Sequence, residues 1–160
     1  MVALVGIRSK KYGKWLRLDA TGSTSFQSAG SGAAVTQSFI EGQETFYLIE
    51  NTDGTVSFES TIFRMAFLRL DGSKVPAGEL TEPGGGVVNA QFGSSTLERF
   101  KIVKKGQDGI VGIESAAFPG RFLRMDGDKN VVNVQGQMLT LEELAIVVVG
   151  RSWRREMTRS

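Results

Sequence analysis

Three places in the chain carry one set of side chains able to grip a small polar ligand: Trp15, Arg17 and Asp19, then Phe67, Arg69 and Asp71, then Phe122, Arg124 and Asp126. An aromatic face stacks on the C–H patch of a sugar ring, while a guanidinium and a carboxylate take its hydroxyls. Asn89 and Asn133 follow one strand later in the second and third copies and add amide donors and acceptors; Thr36 stands in the looser first counterpart, Ala34-Val35-Thr36-Gln37. Three weak equivalent sites would give avidity for a multivalent glycan. The same residues also suit a scaffold, in which arginine and aspartate pair along a strand, aromatics pack under hairpins and each aspartate starts a turn.

The elements that position these sets repeat as well. Val5-Gly6-Ile7-Arg8-Ser9 precedes the first, Val56-Ser57-Phe58-Glu59-Ser60 the second and Val111-Gly112-Ile113-Glu114-Ser115 the third, and the aspartates lie 52 and 55 positions apart. Each copy closes on a glutamate followed by alternating apolar residues, at Glu44, Glu98 and Glu142. Self-similarity at about a third of the chain marks three stacked units of one architecture. Within each unit the apolar runs are short, alternating and rich in Val, Ile and Phe, which is strand material, and no window has helical periodicity. Asp53-Gly54, Asp71-Gly72, Asp108-Gly109 and Asp126-Gly127 supply tight turns. Side-chain alternation sends Leu16, Leu18, Leu68, Leu70, Leu123 and Met125 inward and the aromatic, arginine and aspartate sets outward. Four strands in each of three copies predict an all-β fold, a twelve-strand β-trefoil whose barrel is capped by three hairpins. Residues 1–150 are expected to form this single domain, with repeats at about 1–52, 53–107 and 108–150, followed by a basic tail at 151–160.

Composition narrows the function. The 160 residues are 41% hydrophobic, enough for a core, and contain neither cysteine nor histidine. Disulfides, thiolate ligands, cysteine nucleophiles and the usual general base are thereby excluded. Neither a phosphate-cradling glycine motif, nor a calcium-type acidic loop, nor a nucleophile elbow is present, so no cofactor, no metal and no catalytic residue is expected. Glu142 and Glu143, adjacent on an expected strand, face opposite ways and cannot share a hydrolytic cleft. A net charge of +2 from 19 basic and 17 acidic residues gives no field suited to nucleic acid. No apolar stretch approaches membrane-spanning length, and the expectation is a soluble chain, either cytoplasmic or secreted with a leader removed.

Asymmetry lies in the connections. Copy two carries extra residues from Lys74 to Gly86, including Pro76, Pro83 and Gly84-Gly85-Gly86, and copy one has the Gly/Ser-rich run from Thr21 to Gly32 with Phe26 within it. Such loops read as mobile connectors or as recognition elements on a rigid frame. The tail from Arg151 to Arg159 holds four arginines against one glutamate and could engage a protein partner together with the 74–86 loop.

The third copy, from Val111 through Ser115-Ala116-Ala117-Phe118-Pro119-Gly120-Arg121-Phe122-Leu123-Arg124, resembles the repeat of the arabinose-binding AbfB domains, and Val56 to Arg69 is a degenerate version of it. That resemblance implies a trefoil and sugar binding, although Leu18, Leu70 and Met125 stand where that family has a histidine. Ile113 to Gly120 is similar to the signature of the interleukin trefoils, and Tyr12-Gly13-Lys14-Trp15-Leu16 to fascin-type repeats, implying a cytokine-like ligand or a cytoskeletal crosslinker. The expectation that results is a non-catalytic module binding a glycan or glycoprotein through Trp15, Arg17, Asp19, Phe67, Arg69, Asp71, Asn89, Phe122, Arg124, Asp126 and Asn133, with a structural or protein-interaction trefoil as the alternative.

Overall fold

A computed structural model describes residues 1–106 and 109–153. Its strands are β1 (Val2–Ser9), β2 (Trp15–Asp19), β3 (Ala33–Gln37), β4 (Phe46–Glu50), β5 (Val56–Ser60), β6 (Ala66–Asp71), β7 (Val87–Phe92), β8 (Phe100–Lys104), β9 (Val111–Ser115), β10 (Phe122–Asp126), β11 (Val131–Gln135) and β12 (Leu144–Ser152). These are the expected four per repeat. Antiparallel pairing runs β1–β12–β9–β8–β5–β4 and back to β1, closing a six-stranded barrel. Closure leaves the barrel without a free edge. The hairpins β2–β3, β6–β7 and β10–β11 cap one end, each tied to the barrel by a single register pair.

The alternation read from the sequence holds: Leu16, Leu18, Leu68, Leu70, Leu123 and Met125 are fully buried. In the barrel, Phe46, Phe58 and Phe100 meet as a cluster, edge-on at 6.3 Å between the first pair of ring centroids and tilted at 5.8 Å between the second. Three short 3-10 turns, at Gly42–Glu44, Thr96–Glu98 and Thr140–Glu142, lead into the fourth strand of each repeat. They had no helical periodicity to betray them because three residues are less than one α-turn. Glu142 therefore ends a turn rather than lying on a strand beside Glu143.

The last strand continues through Arg151 and Ser152, which pair with Ala3 and Val2, so the first residues of the expected tail belong to the sheet. Residues 154–160, like the Asp108 half of one expected turn, lie outside the described residues. Among those described, no helix is long and apolar enough to cross a membrane. Phe58 stands between the other two rings at the barrel centre, so Phe58→Ala should lower stability by about 3–5 kcal/mol, measured by denaturant unfolding.

Candidate functional site

The three aspartates of the repeated sets spend their carboxylates on turns. Asp19 Oδ1 accepts the Thr21 amide at 3.0 Å and its hydroxyl at 2.6 Å, Asp71 Oδ1 does the same for Ser73 at 3.0 and 2.7 Å, and Asp126 Oδ1 accepts the Asp128 amide at 3.1 Å. The hydroxyl of Thr21 and that of Ser73, followed by their amides, hold Asp19 and Asp71 below the usual carboxylate range.

The three arginines meet a partner that sequence reading overlooked. Each 3-10 turn ends in a buried glutamate whose Oε1 accepts the amide three residues earlier: Glu44 from Glu41 at 2.7 Å, Glu98 from Ser95 at 2.8 Å, Glu142 from Leu139 at 2.8 Å. The other carboxylate oxygen faces the hairpin arginine in two of the repeats, Arg17 Nε to Glu44 at 3.6 Å and Arg124 Nε to Glu142 at 3.9 Å. In the second, Arg69 acts on Glu98 through space. Burial pushes Glu98 and Glu142 above the usual glutamate range, against the pull of the capped amide and the arginine. The periodic Glu44, Glu98 and Glu142 were the visible signal; what hid their role was the reading of each as the start of a strand.

In repeats two and three the outward face is not exposed: Arg69 and Arg124 are each 3% accessible. The cover is the preceding repeat's hairpin loop. Gln27–Gly32 lies across the second repeat: Gln91 accepts the Gln27 amide at 3.1 Å and donates to its carbonyl at 2.6 Å, Arg69 donates to Ser28 O at 3.3 Å, Asn89 donates to Ala29 O at 3.0 Å, and Ser31 forms a two-way bridge with Ala90. Thr81–Gly86 repeats the pattern on the third: Gln135 takes both the amide and the carbonyl of Thr81 at 2.8 and 2.7 Å, Asn133 donates to Pro83 O at 3.1 Å, Arg124 lies 4.0 Å from Glu82, and Gly85 bridges Val134. Asn89 and Asn133 also accept from Arg69 and Arg124 at 3.2 and 3.1 Å. Gly30 and Gly84 have φ of 69° and 80°, and a Cβ at either would press on the asparagine and the arginine beneath. Only glycine combines that dihedral with that approach.

Among the described residues, repeat one has no such cover. The loop that would supply it, between β10 and β11, is only residues 127–130; Asn130 takes the left-handed place of Gly32 and Gly86, and its side chain accepts from Thr36 at 2.9 Å. Register sets Val35, not Thr36, opposite Arg17, where the other repeats have Asn89 and Asn133. Arg17 is a third exposed, and Trp15 lies half-buried against Gly6 and Ile40 with Arg8 stacked 5.5 Å from its ring centroid. Beside them opens a cleft of about 430 Å³ lined by Arg17, Gln37, Phe39, Glu41, Gln43 and Ile62. Its equivalent in repeat three, beside Arg124 and Gln135, is reduced to about 140 Å³ and is partly walled by Leu80 and Glu82. Phe67 is buried and Phe122 half-buried, whereas Phe26 in the covering loop is 68% exposed and points away from the barrel.

A second cleft, of about 470 Å³, lies between the second and third repeats. It is lined by Ser94, Ser95 and Thr96, by Ala116 and Ala117, and by Asp53 with Arg99. Arg99 Nη1 stands 3.0 Å from Asp53 Oδ2, and both side chains are exposed. The Thr55 hydroxyl and amide, with Arg99, hold Asp53 down at about 2, so it is ionised at any ordinary pH. Sequence reading took Asp53 only as a turn, since its partner is 46 residues away and the pair does not repeat.

No family model matches the chain, and no curated protein sequence matches it. Solved structures do. SeviL bound to asialo-GM1 saccharide is similar over 94% of this chain and 100% of its own, with a TM-score of 0.68 and 8% identity. The designed three-fold symmetric protein ThreeFoil matches over 91% and 99%, with a TM-score of 0.69 and 14% identity. The fold is a β-trefoil. The exo-β-1,3-galactanase 1,3Gal43A from Clostridium thermocellum also contains a similar unit, matching 92% of this trefoil but 30% of its own chain at a TM-score of 0.69 and 16% identity. These neighbours share the β-trefoil fold, while the AbfB-type resemblance finds no support of its own among them.

Two outcomes follow from the arginine–glutamate pairs. Arg124→Met removes a buried guanidinium that faces Glu142, Asp126 and Glu82 and should cost about 3–5 kcal/mol in denaturant unfolding. Arg17→Met leaves the equally buried Glu44 beside an opening through which water reaches it and should cost less, about 1–3 kcal/mol. Because Glu98 and Glu142 have folded pKa values above their unfolded ones, the fold holds more protons than the unfolded chain in that window. Their contribution is therefore fully present below about pH 4.5 and lost as pH rises through the raised values. The stability of a Glu98→Gln/Glu142→Gln double variant relative to the parent should accordingly rise between about pH 4 and pH 7, by at most about 1.4 kcal/mol per pH unit per group.

Proposed function

We propose that this trefoil is a non-catalytic binding module that recognises glycans, and that the cleft between repeats two and three takes the sugar hydroxyls. One observation carries the reading: Asp53 and Arg99, 3.0 Å apart, form an arginine–carboxylate pair exposed on both sides, whereas the pairs made by Arg17, Arg69 and Arg124 each have one partner nearly buried. Asp53 Oδ1 is taken by the Thr55 amide and hydroxyl, as in the other turns, but Oδ2 meets only the exposed Arg99. It therefore accepts from one sugar hydroxyl while the guanidinium donates to a neighbouring one, and Ser94, Ser95 and Thr96 add further polar groups. Ala116 and Ala117 supply apolar lining against which the C–H face of a sugar can pack. The saccharide bound to SeviL and the galactanase that carries a similar unit lend support by analogy of fold.

The aromatic, arginine and aspartate sets remain candidates only where they reach solvent, which favours Trp15, Arg17 and Asp19 over their covered equivalents. Of the protein-docking surfaces expected from sequence, the 74–86 loop is committed to repeat three along most of its length: besides the contacts of Thr81–Gly86, Arg121 donates to Val75 O at 2.7 Å, Gly78 donates to Gly136 O at 2.8 Å and Gln137 donates to Gly78 O at 2.8 Å.

A glycan array probed with the intact protein tests the reading. Any hit should weaken by about tenfold or more in both Asp53→Ala and Arg99→Ala, with circular dichroism confirming the fold, and should persist in Asp71→Ala and Asp126→Ala. Hits lost in the latter pair and kept in the former would move recognition to the repeated sets. A blank array would contradict glycan recognition for the sugars displayed.

A further inference from the structure

The chain shows twice, on itself, what its hairpins are built to hold. On repeats two and three the glutamine at the end of the hairpin takes the N–H and C=O of the first residue of a β-turn, closed by Gly30 N–H to Gln27 O and by Gly84 N–H to Thr81 O, and the arginine faces the next residue. In both, the glutamine is held ready for this by a fixed contact: its Oε1 also accepts the following amide, from Phe92 at 3.0 Å and from Gly136 at 2.9 Å. Gln37 is set the same way, its Oε1 accepting the Ser38 amide at 3.2 Å, but no segment lies against it among the described residues. The receptor is therefore formed while its occupant is missing.

We propose that the first-repeat cleft is a docking site for a β-turn of a partner protein, held by Gln37 through the N–H and C=O of the turn's first residue and by Arg17 through the residue after it. The chemistry of the occupant follows from repeat three, since on repeat two the arginine takes a backbone carbonyl, that of Ser28. On repeat three the residue facing the arginine is acidic, Glu82, and the residue before the clamped one is Leu80, which lies along Leu139 and Leu141. Phe39 and Ile62, each 55% exposed, flank the open cleft and suit an apolar side chain at that place, while Arg17 suits an acidic one. The order apolar, any, acidic, with small residues after it, is the pattern selected.

A trans secondary amide of an acetamido sugar points its N–H and C=O in opposite directions. One carboxamide cannot clasp both, whereas the N–H and C=O of a single extended amino-acid residue lie side by side, as they do in Gln27 and Thr81. Backbone capture with side-chain pockets on either side is a known economy of peptide recognition. The inference is independent of glycan recognition, which rests on the other cleft.

The probe is the chain's own segment 80–85, acetylated and amidated, titrated into the intact 15N-labelled protein. The expected result is saturable shifts at the Gln37 side-chain amide and at residues 42–44, with Gln91 and Gln135 unmoved. Gln37→Ala, and separately a peptide methylated on the nitrogen equivalent to that of Thr81, should each weaken binding by about tenfold or more; the methylated peptide leaves the protein untouched, so it serves even if the variant is perturbed. No shift at about 10 mM peptide, equal binding of the methylated peptide, or an oligosaccharide moving these resonances when the peptide does not, would each overturn the proposal.

Discussion

Each hairpin of this trefoil must carry an arginine across the rim of the barrel without leaving its charge unmet. The solution is the same in kind three times: a 3-10 turn offers a glutamate whose one oxygen caps the turn and whose other oxygen, or whose field, meets the guanidinium. A buried ion pair of this sort is costly to half-remove and gives little net stability over an apolar replacement. Its value is geometric, because it fixes the angle between hairpin and barrel and holds the hairpin's last glutamine where it can take a backbone segment.

From that point the symmetry is broken by the length of one connection and by one residue of the hairpin it would cover. The first and second hairpin connections are long enough to run onto the next repeat, where glycines at Gly30 and Gly84 let them settle against an asparagine and an arginine. The third is too short, and Val35 replaces the asparagine on the repeat it would have covered. Loss of the cover and loss of the amide that would hold it go together in the same repeat. A module with three equivalent frames thereby presents one open cleft, and the cleft at Asp53 and Arg99 arises separately, from residues the repeat does not reproduce.

Much of the frame was legible because alternation and repetition are local signals. Leu16 with Leu18, and their counterparts, lie in the core as the parity required. The aspartates sit in turns, the plainer of their two readings. The rest needed contacts between distant residues. Alternation sends Arg69 and Arg124 outward but says nothing of the loops that lie over them, and Gln27–Gly32 and Thr81–Gly86 share only two glycines and small neighbours, a composition equally suited to mobile linkers. Thr36 seemed the counterpart of Asn89 until the register showed that Val35 faces Arg17. Gln37, Gln91 and Gln135 repeat in plain view, yet nothing local distinguishes a glutamine that clasps a backbone from one in water.

The central claim is that two of three equivalent strand edges are covered by the chain's own loops and one is not. Native-state amide hydrogen exchange of Ala90, Val134 and Thr36 measures this directly, since Ala90 and Val134 donate to Ser31 and Gly85 across the covered edges and Thr36 is their equivalent at the open one. The account predicts slow exchange at Ala90 and Val134 and exchange at least about a hundredfold faster at Thr36. Equal protection at all three would contradict it.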